Sequence, residues 1–188
     1  GISSMFLSPN LSQIVTQVQK GTLDFVLLKP MDSQFWLSTR NLSPWGLPSV
    51  VFGLILLFYA GHHAGLTAGM YALGIIPLVL SLIILYSLWY ILATTTVWFV
   101  KIQNVTQVLQ NAMEAVKYPM AAYPVVLRFF FTFILPVGLL TTAPAEIMLG
   151  RSSTVGWLIG AFLLSIVTFS FSRFFWRFAL RSYTSASS

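Results

Sequence analysis

Charged residues are scarce in this chain. Only 7% of its 188 residues are Asp, Glu, Lys or Arg, while 57% are hydrophobic. About a quarter of the residues in a soluble domain are charged, so ten basic and four acidic residues cannot cover a soluble surface of this size. This excludes an ordinary soluble enzyme, a disordered chain and a nucleic-acid-binding module. The net charge of +6 comes from basic residues at the ends of long apolar stretches, not from a basic patch.

The sequence does not contain the residues and motifs that several kinds of chemistry require. The chain has no cysteine, which excludes disulfides, iron–sulfur clusters and cysteine-based zinc sites. Its two histidines, His62 and His63, are sequence neighbours and would point about 100° apart on a helix, so we expect polar residues of an outer loop, not a metal site. A phosphate-binding loop ending in Gly-Lys-Ser/Thr and a Gly-x-Ser-x-Gly motif are both missing. We therefore expect no catalytic residue, metal or cofactor on this chain.

Long uncharged stretches predict membrane spans. No charged residue occurs between Arg40 and Lys101, and these 60 or so residues have room for two spanning helices of about 20 residues each. A turn is expected at residues 61–65, which contain two glycines and both histidines. In lipid each span must satisfy its own backbone hydrogen bonds, and the apolar runs do not alternate as barrel strands would. We predict an all-α integral membrane domain over 1–188, with spans at 45–66, 70–100, 123–142 and 155–180.

The positions of Lys and Arg predict the orientation. Basic residues flank the first, second and fourth predicted spans on one side of the membrane, whereas Arg151 alone lies in a short loop on the other side. By the positive-inside rule, both ends of this chain and the connection at 101–122 are cytoplasmic, and the segment at 143–154 is outside. None of the four acidic residues lies deep in a predicted span, which disfavours an ion-coupled transporter.

The segment at 1–42 has the pattern of short amphipathic helices. Asn10 is a candidate N-cap and Gly21 a candidate stop for a first helix, whose apolar face would consist of Leu11, Ile14, Val15 and Val18. A second helix is expected over 22–28, ended by Lys29-Pro30, and a third near Asp32. The connection at 101–122 is also amphipathic. The pattern alone leaves open whether these helices lie on lipid headgroups or contact a soluble partner.

Three sequence patches together resemble a known family. They are GTLDFVLLKP at 21–30, PAEIMLG at 144–150, and FWR followed by LRSYTSAS at 175–187. In this order and spacing they resemble permease subunits of type-2 ATP-binding-cassette (ABC) exporters, in the uncharacterised or viologen-exporter-like subgroup. The resemblance covers nearly the whole chain. Members of this family usually have six spans, so the resemblance implies two further spans before residue 1 and an N-terminally incomplete chain.

The resemblance also implies roles for particular segments. The first cytoplasmic segment would be the region that couples to an ATPase subunit, with Gly21, Leu23, Asp24, Leu27, Leu28 and Pro30. The second cytoplasmic connection would use Val108, Met113, Glu114 and Lys117. A short outer re-entrant helix before the last span would contain Pro144, Glu146 and Gly150. A C-terminal anchor motif would comprise Trp176, Arg177, Arg181, Tyr183 and Ser185, and residues 181–188 would form a cytoplasmic tail.

The expected function is a permease subunit that forms the pathway of an ATP-driven exporter in the inner (plasma) membrane of a bacterium. A separate ABC ATPase would bind ATP and magnesium, and a second copy or a related permease would complete a homo- or heterodimer in the lipid. The chain itself would not be an enzyme and would not bind nucleic acid. Two alternatives remain: a stand-alone channel or secondary carrier, and a membrane scaffold that transports nothing.

Overall fold

The structure, a computed structural model, describes residues 1–98, 124, 144–150 and 154–183. Within these residues the chain forms helices and turns and no strand. The predicted connection at 101–122 and, apart from Pro124, the predicted span at 123–142 lie outside the described residues. Helices are numbered below in chain order among the described residues.

Short helices form the first 46 residues. A π-helical turn at Ser3–Leu7 leads into α1, Ser8–Gln19, and two shorter helices follow. These are α2, Asp24–Leu27, and α3, Ser33–Thr39. A 3₁₀ turn at Pro44–Gly46 then leads into the first long helix.

Three long helices follow. They are α4, Leu47–His63; α5, Ala68–Thr94, which continues as a 3₁₀ turn at Thr95–Val97; and α7, Thr154–Ser182. Between α5 and α7, a short helix α6 covers 144–148. The segments Pro44–His63, Ala68–Val97 and Val155–Ser182 are long and apolar enough to cross a membrane. The predicted all-α membrane fold is thus confirmed for three helices, each of which overlaps a predicted span.

The start of α1 differs from the prediction. Asn10 is not its N-cap, because α1 begins at Ser8 and Asn10 is buried inside it. The Asn10 side-chain amide donates to the carbonyls of Phe6 and Asn41, and its oxygen accepts from the Asn41 backbone N–H at 2.8 Å. The polar side chain therefore binds a distant loop instead of the helix terminus. The predicted apolar face is confirmed, since all four of its residues are buried: Leu11, Ile14, Val15 and Val18.

Two glycines in the left-handed region end helices. Gly21 has φ of 67°, and the Gly21 and Thr22 amides donate back to Val18 and Gln17, a Schellman arrangement. This confirms Gly21 as a stop and leaves α2 shorter than the predicted 22–28. The same arrangement at Gly65, with φ of 70°, ends α4. The turn predicted from Gly61 onward therefore begins only after His63.

The chain divides into two compact units. Unit 1 consists of Gly1–Leu56, Trp89–Gln110 and Ser170–Ser188, and unit 2 of Leu57–Leu88 and Asn111–Phe169. Among the described residues of unit 1, the buried core includes Ile14, Leu23, Leu37, Tyr90 and Trp176. The buried residues of unit 2 include Ile84, Ile147, Met148 and Ala161.

Candidate functional site

Polar side chains join α3 to α7 within unit 1. Both terminal nitrogens of Arg173 donate to the two carboxylate oxygens of Asp32, in a bidentate ion pair. The Gln34 amide donates to the Ser172 hydroxyl at 3.2 Å. The indole N–H of Trp176 donates to a third residue of the α3 start, the Ser33 hydroxyl, at 3.0 Å. We call these six residues the α3–α7 clasp: Asp32, Ser33, Gln34, Ser172, Arg173 and Trp176.

Asp32 has two roles in the clasp. Besides pairing with Arg173, its carboxylate accepts the Phe35 backbone N–H at 2.9 Å and so caps α3, which agrees with the helix predicted to start near Asp32. The hydrogen bond from Arg173 lowers the pKa of the Asp32 carboxyl below its ordinary value of 3.8, more than its slight burial raises it. The Phe35 amide and the Arg177 charge also lower it. The carboxylate is therefore ionised at neutral pH.

The clasp has a buried half and an exposed half. Gln34, Ser172 and Trp176 are almost fully buried, whereas the side chains of Asp32 and Arg173 keep 40% and 31% of their exposure. Burying a polar group without a hydrogen bond costs free energy, so the buried half of the clasp fixes the geometry. The exposed ion pair orients α3 relative to the end of α7, but it contributes little to the free energy of unfolding because water screens it.

Trp176 also connects the clasp to α5. The edge of its ring packs on Tyr90, with centroids 5.4 Å apart and planes at 79°. Further along, Trp98 packs against Phe175 and Phe178 at 5.4 and 5.9 Å. The end of α5, together with the turn that follows it, thus makes three aromatic contacts with the end of α7.

Apolar side chains of α2, of α3 and of the turn between them are exposed. Phe25 and Leu28 are 70% and 81% exposed, and Met31 and Phe35 are also exposed. We call these four residues the apolar patch. They lie on α2, on α3 and on the turn between, whereas Leu23 and Val26 are buried and hold α2 in place. None belongs to a helix of membrane-spanning length. Exposed apolar side chains grouped on two neighbouring short helices are typical of interaction surfaces.

The predicted coupling residues fall into two groups. Gly21 forms the helix-ending turn and Leu23 is fully buried, so both shape the segment. Asp24 is half-buried, and the other three are exposed: Leu27, Leu28 and Pro30. Only the exposed group could touch another molecule directly.

The predicted C-terminal motif also divides. Trp176 is buried in the clasp, while Arg177 and Arg181 are exposed. Burial raises the pKa of the Tyr183 phenol, and the Asp24 carboxylate acts in the same direction. The motif and the coupling region therefore approach each other at this pair. Ser185 lies outside the described residues.

The predicted outer segment packs on α5 within unit 2. Pro144 is buried, Glu146 is half-buried, and Gly150 has φ of 65°. The side chain of Met148 lies against Gly74, in space that a β-carbon at position 74 would occupy. The re-entrant path stays a prediction. The four predicted residues of the second connection lie outside the described residues: Val108, Met113, Glu114 and Lys117.

Sequence reasoning missed most of the clasp. Asp32 was identified only as a helix start, and Arg173 only as one of the basic residues flanking the last predicted span. A signal was present, because a chain with only four acidic residues offers few ion-pair partners for an arginine. The contacts of Gln34 and Ser172 had no comparable signal, since they join positions 138 residues apart.

No group of three or more His, Cys, Asp or Glu side chains that could hold a metal occurs in the part of the chain that the structure describes. His62 and His63 are the last residues of α4, with ring centroids 6.2 Å apart. Tyr59 packs edge-on against His63 at 4.7 Å. The pair is therefore helical, not part of a loop as the sequence suggested.

Comparison with known proteins identifies the family. The family model described as "ABC-2 family transporter protein" matches residues 1–187. No curated protein and no solved structure matches the chain. The membrane-length helices agree with the family, whose members of this type are membrane components of transporters. The chain therefore belongs to the ABC-2 family of transporter proteins, as a multi-span membrane component.

Proposed function

We propose that this chain is the permease subunit of an ATP-driven exporter and that its apolar patch is the surface on which a separate ABC ATPase docks. The exposed patch on two short helices, outside any membrane-length helix, is the observation that carries the proposal. Such helices insert their apolar side chains into a hydrophobic groove of a partner. Membership of the ABC-2 family supports an ATPase as that partner.

Charge favours a protein partner over lipid headgroups for the segment 21–40. Helices that lie on membranes are rich in Lys and Arg on their polar face. This segment carries two basic and two acidic residues, Lys29, Arg40, Asp24 and Asp32. One of the basic groups, the Lys29 ammonium, lies over the Trp36 ring at 3.9 Å. The segment has no basic excess with which to hold anionic lipid.

The remaining roles follow from this proposal. The segment at 1–42 faces the cytoplasm of a bacterial cell, as the positive-inside rule predicts, and the ATPase and its ATP are on the same side. ATP and magnesium bind to the ATPase, and this chain does no bond chemistry. A second copy or a related permease completes the pathway across the plasma membrane. The connection at 101–122 forms a second cytoplasmic contact, and 143–154 an outer re-entrant segment.

Co-purification tests the docking surface. The full-length protein is purified from its own host, and an ATPase subunit is expected to accompany it. Changing Phe25→Asp and Leu28→Asp together is expected to remove the ATPase, because a charge buried in an apolar contact is costly. Leu42→Asp is the matched control, since Leu42 is exposed and apolar but lies outside α2 and α3; it should keep the ATPase.

Two results would contradict the proposal. One is an absence of any ATPase from the purified natural protein. The other is full ATPase retention after the double change in the apolar patch. Transport that continues without ATP would instead favour a channel or secondary carrier. Loss of a membrane complex without loss of any transport would favour a scaffold.

A further inference from the structure

We infer that the α3–α7 clasp makes α3 and the end of α7 a single rigid body, so that movement of the apolar patch is passed directly to α7. This inference rests on the proposed function and deepens it by naming the residues that transmit the motion. Asp32, Gln34, Ser172, Arg173 and Trp176 are positioning residues here. None of them needs to touch the partner or the cargo.

The spacing of the contacts supports a rigid joint. On α7, Ser172, Arg173 and Trp176 lie within little more than one helical turn. On α3 their partners are the N-cap residue and the first two helical residues. A bidentate ion pair fixes orientation as well as distance, and two further hydrogen bonds lie beside it. Several directed bonds in one short stretch resist both sliding and rotation.

The apolar patch is tied to the same joint. The carboxylate of Asp32 binds Arg173 and caps α3 at the Phe35 amide, so one side chain belongs to both contacts. Phe35 itself is a member of the apolar patch. On the other side, Lys29 of the turn after α2 lies over Trp36 of α3. A force on the patch therefore reaches the start of α3 through short contacts.

Chain connectivity alone would suggest a different route. The segment is followed directly by α4, so a displacement would be expected to pull on α4 first. The connection to α4 is a loop with a 3₁₀ turn at Pro44–Gly46, and α4 is exposed along nearly its whole length. The buried polar bonds go to α7, which is more than 110 residues further along the chain. Buried, directed bonds transmit displacement better than a loop does.

A reporter on α7 tests the route without knowledge of the cargo. Residues 1–188 contain no cysteine, so Phe174→Cys, at an exposed position of α7, adds a thiol to this region for an environment-sensitive fluorophore. In the full-length protein with its ATPase, we expect ATP to change the emission. Arg173→Gln removes the bidentate contact that orients α7 on α3 and should reduce this change, while the ATPase still co-purifies. Arg40→Gln removes an exposed positive charge outside the clasp and should keep the change.

A variant that keeps the charge provides the rescue. Arg173→Lys retains a positive charge opposite Asp32, which still caps α3, and should give a larger emission change than Arg173→Gln. A full response in Arg173→Gln, or a response that Arg40→Gln loses equally, would overturn the inference. If the natural protein has no ATPase partner, the proposed function itself fails. If the partner and the response are present and only the clasp variants behave unexpectedly, the clasp inference alone fails.

A covalent cross-link gives an independent test. Gln34→Cys with Ser172→Cys places one thiol on each side of the clasp, where the natural side chains meet at 3.2 Å. Because a cysteine side chain is shorter than that of Gln34, a short, reducible bifunctional thiol reagent joins the two positions. Parts of one rigid body can be joined covalently without effect, so the cross-linked protein should hydrolyse ATP as the same variant does before cross-linking. Inhibition that a reductant reverses would show that α3 and α7 separate during the cycle, and would overturn the inference.

Discussion

Two regions of this protein hold their helices together by different means. In unit 1, α3 and α7 meet through polar side chains that bond to each other, with Gln34, Ser172 and Trp176 buried. In unit 2, close contacts form at glycines, which have no side chain: Tyr71 lies against Gly61, and Met148 against Gly74.

Some hydroxyl groups show a similar difference. In unit 2, Ser81 donates to the Pro77 carbonyl and Ser165 to the Phe162 carbonyl, both on their own helices. In unit 1, Thr94 also bonds within its own helix, but Ser33 and Ser172 accept hydrogen bonds from other helices. Directed bonds specify one arrangement of two helices, whereas a close apolar contact mainly limits their distance. Each region should therefore be most sensitive to a different kind of substitution.

The largest effect is expected from Trp176→Ala. This change removes a fully buried ring, its hydrogen bond to Ser33 and its contact with Tyr90. Truncation of a buried Trp costs about 3–5 kcal/mol, so the melting temperature in detergent should fall strongly. Phe174→Ala, at an exposed position two residues before it, is the control. Equal losses in the two variants would show that Trp176 has no special place in unit 1.

Glycine at position 74 is the corresponding test in unit 2. An Ala in a helix normally gains about 1 kcal/mol over Gly, and at Gly53, where no atom lies within 4 Å of an added β-carbon, this gain is expected. At Gly74 the new methyl would displace Met148, and overpacking costs about 1–3 kcal/mol. Gly53→Ala should therefore raise the melting temperature, while Gly74→Ala leaves it unchanged or lowers it. A rise of equal size in both variants would contradict the close contact.

The two helix-ending glycines should behave alike in the two regions. Gly21 and Gly65 have nearly the same positive φ, and an L-residue there costs about 1 kcal/mol. Gly21→Ala and Gly65→Ala should each lower the melting temperature by a similar, moderate amount. Asn, which tolerates this conformation better, should lower it less at both positions. A neutral result at only one glycine would show that its turn is not required.

The smallest effect is expected from pH. Because the pKa of Asp32 is lowered in the folded protein, the ion pair stabilises fully above the ordinary value of 3.8 and is lost as pH falls through the lowered value. Asp32→Asn keeps an N-cap but removes the charge. At neutral pH the free energy of unfolding of the natural protein should exceed that of this variant by about 0.2–1 kcal/mol. The difference should vanish in acid. Thermal unfolding at several pH values measures it, and a difference that persists in acid would exclude the ion pair as its source.

Hydropathy predicted the long helices because spanning length is a local property of the sequence. α4 and α7 cover Leu47–His63 and Thr154–Ser182, within a few residues of the predicted spans at 45–66 and 155–180. The spacing of apolar residues also predicted the buried face of α1, and Gly21 predicted where α1 ends. These features depend on residues close together in the chain.

Long-range side-chain contacts could not be predicted in this way. Asn10 has the chemistry of a cap, but its bonds to Asn41 decide its position. Trp176 was singled out by family resemblance, yet its partner Ser33 is 143 residues away. Such choices depend on which helices meet, and hydropathy is nearly the same for many pairings of apolar helices.

Asp32 is both the partner of Arg173 and the N-cap of α3, and these two roles limit which residues can replace it. Ser, Thr and Asn can cap a helix but carry no charge, and Glu carries the charge on a side chain one carbon longer that caps poorly. Only Asp supplies both functions on one short side chain. In related chains, the residues at 32 and 173 should therefore vary together: where no arginine stands at 173, position 32 becomes free to hold any capping residue, and the aspartate loses its advantage.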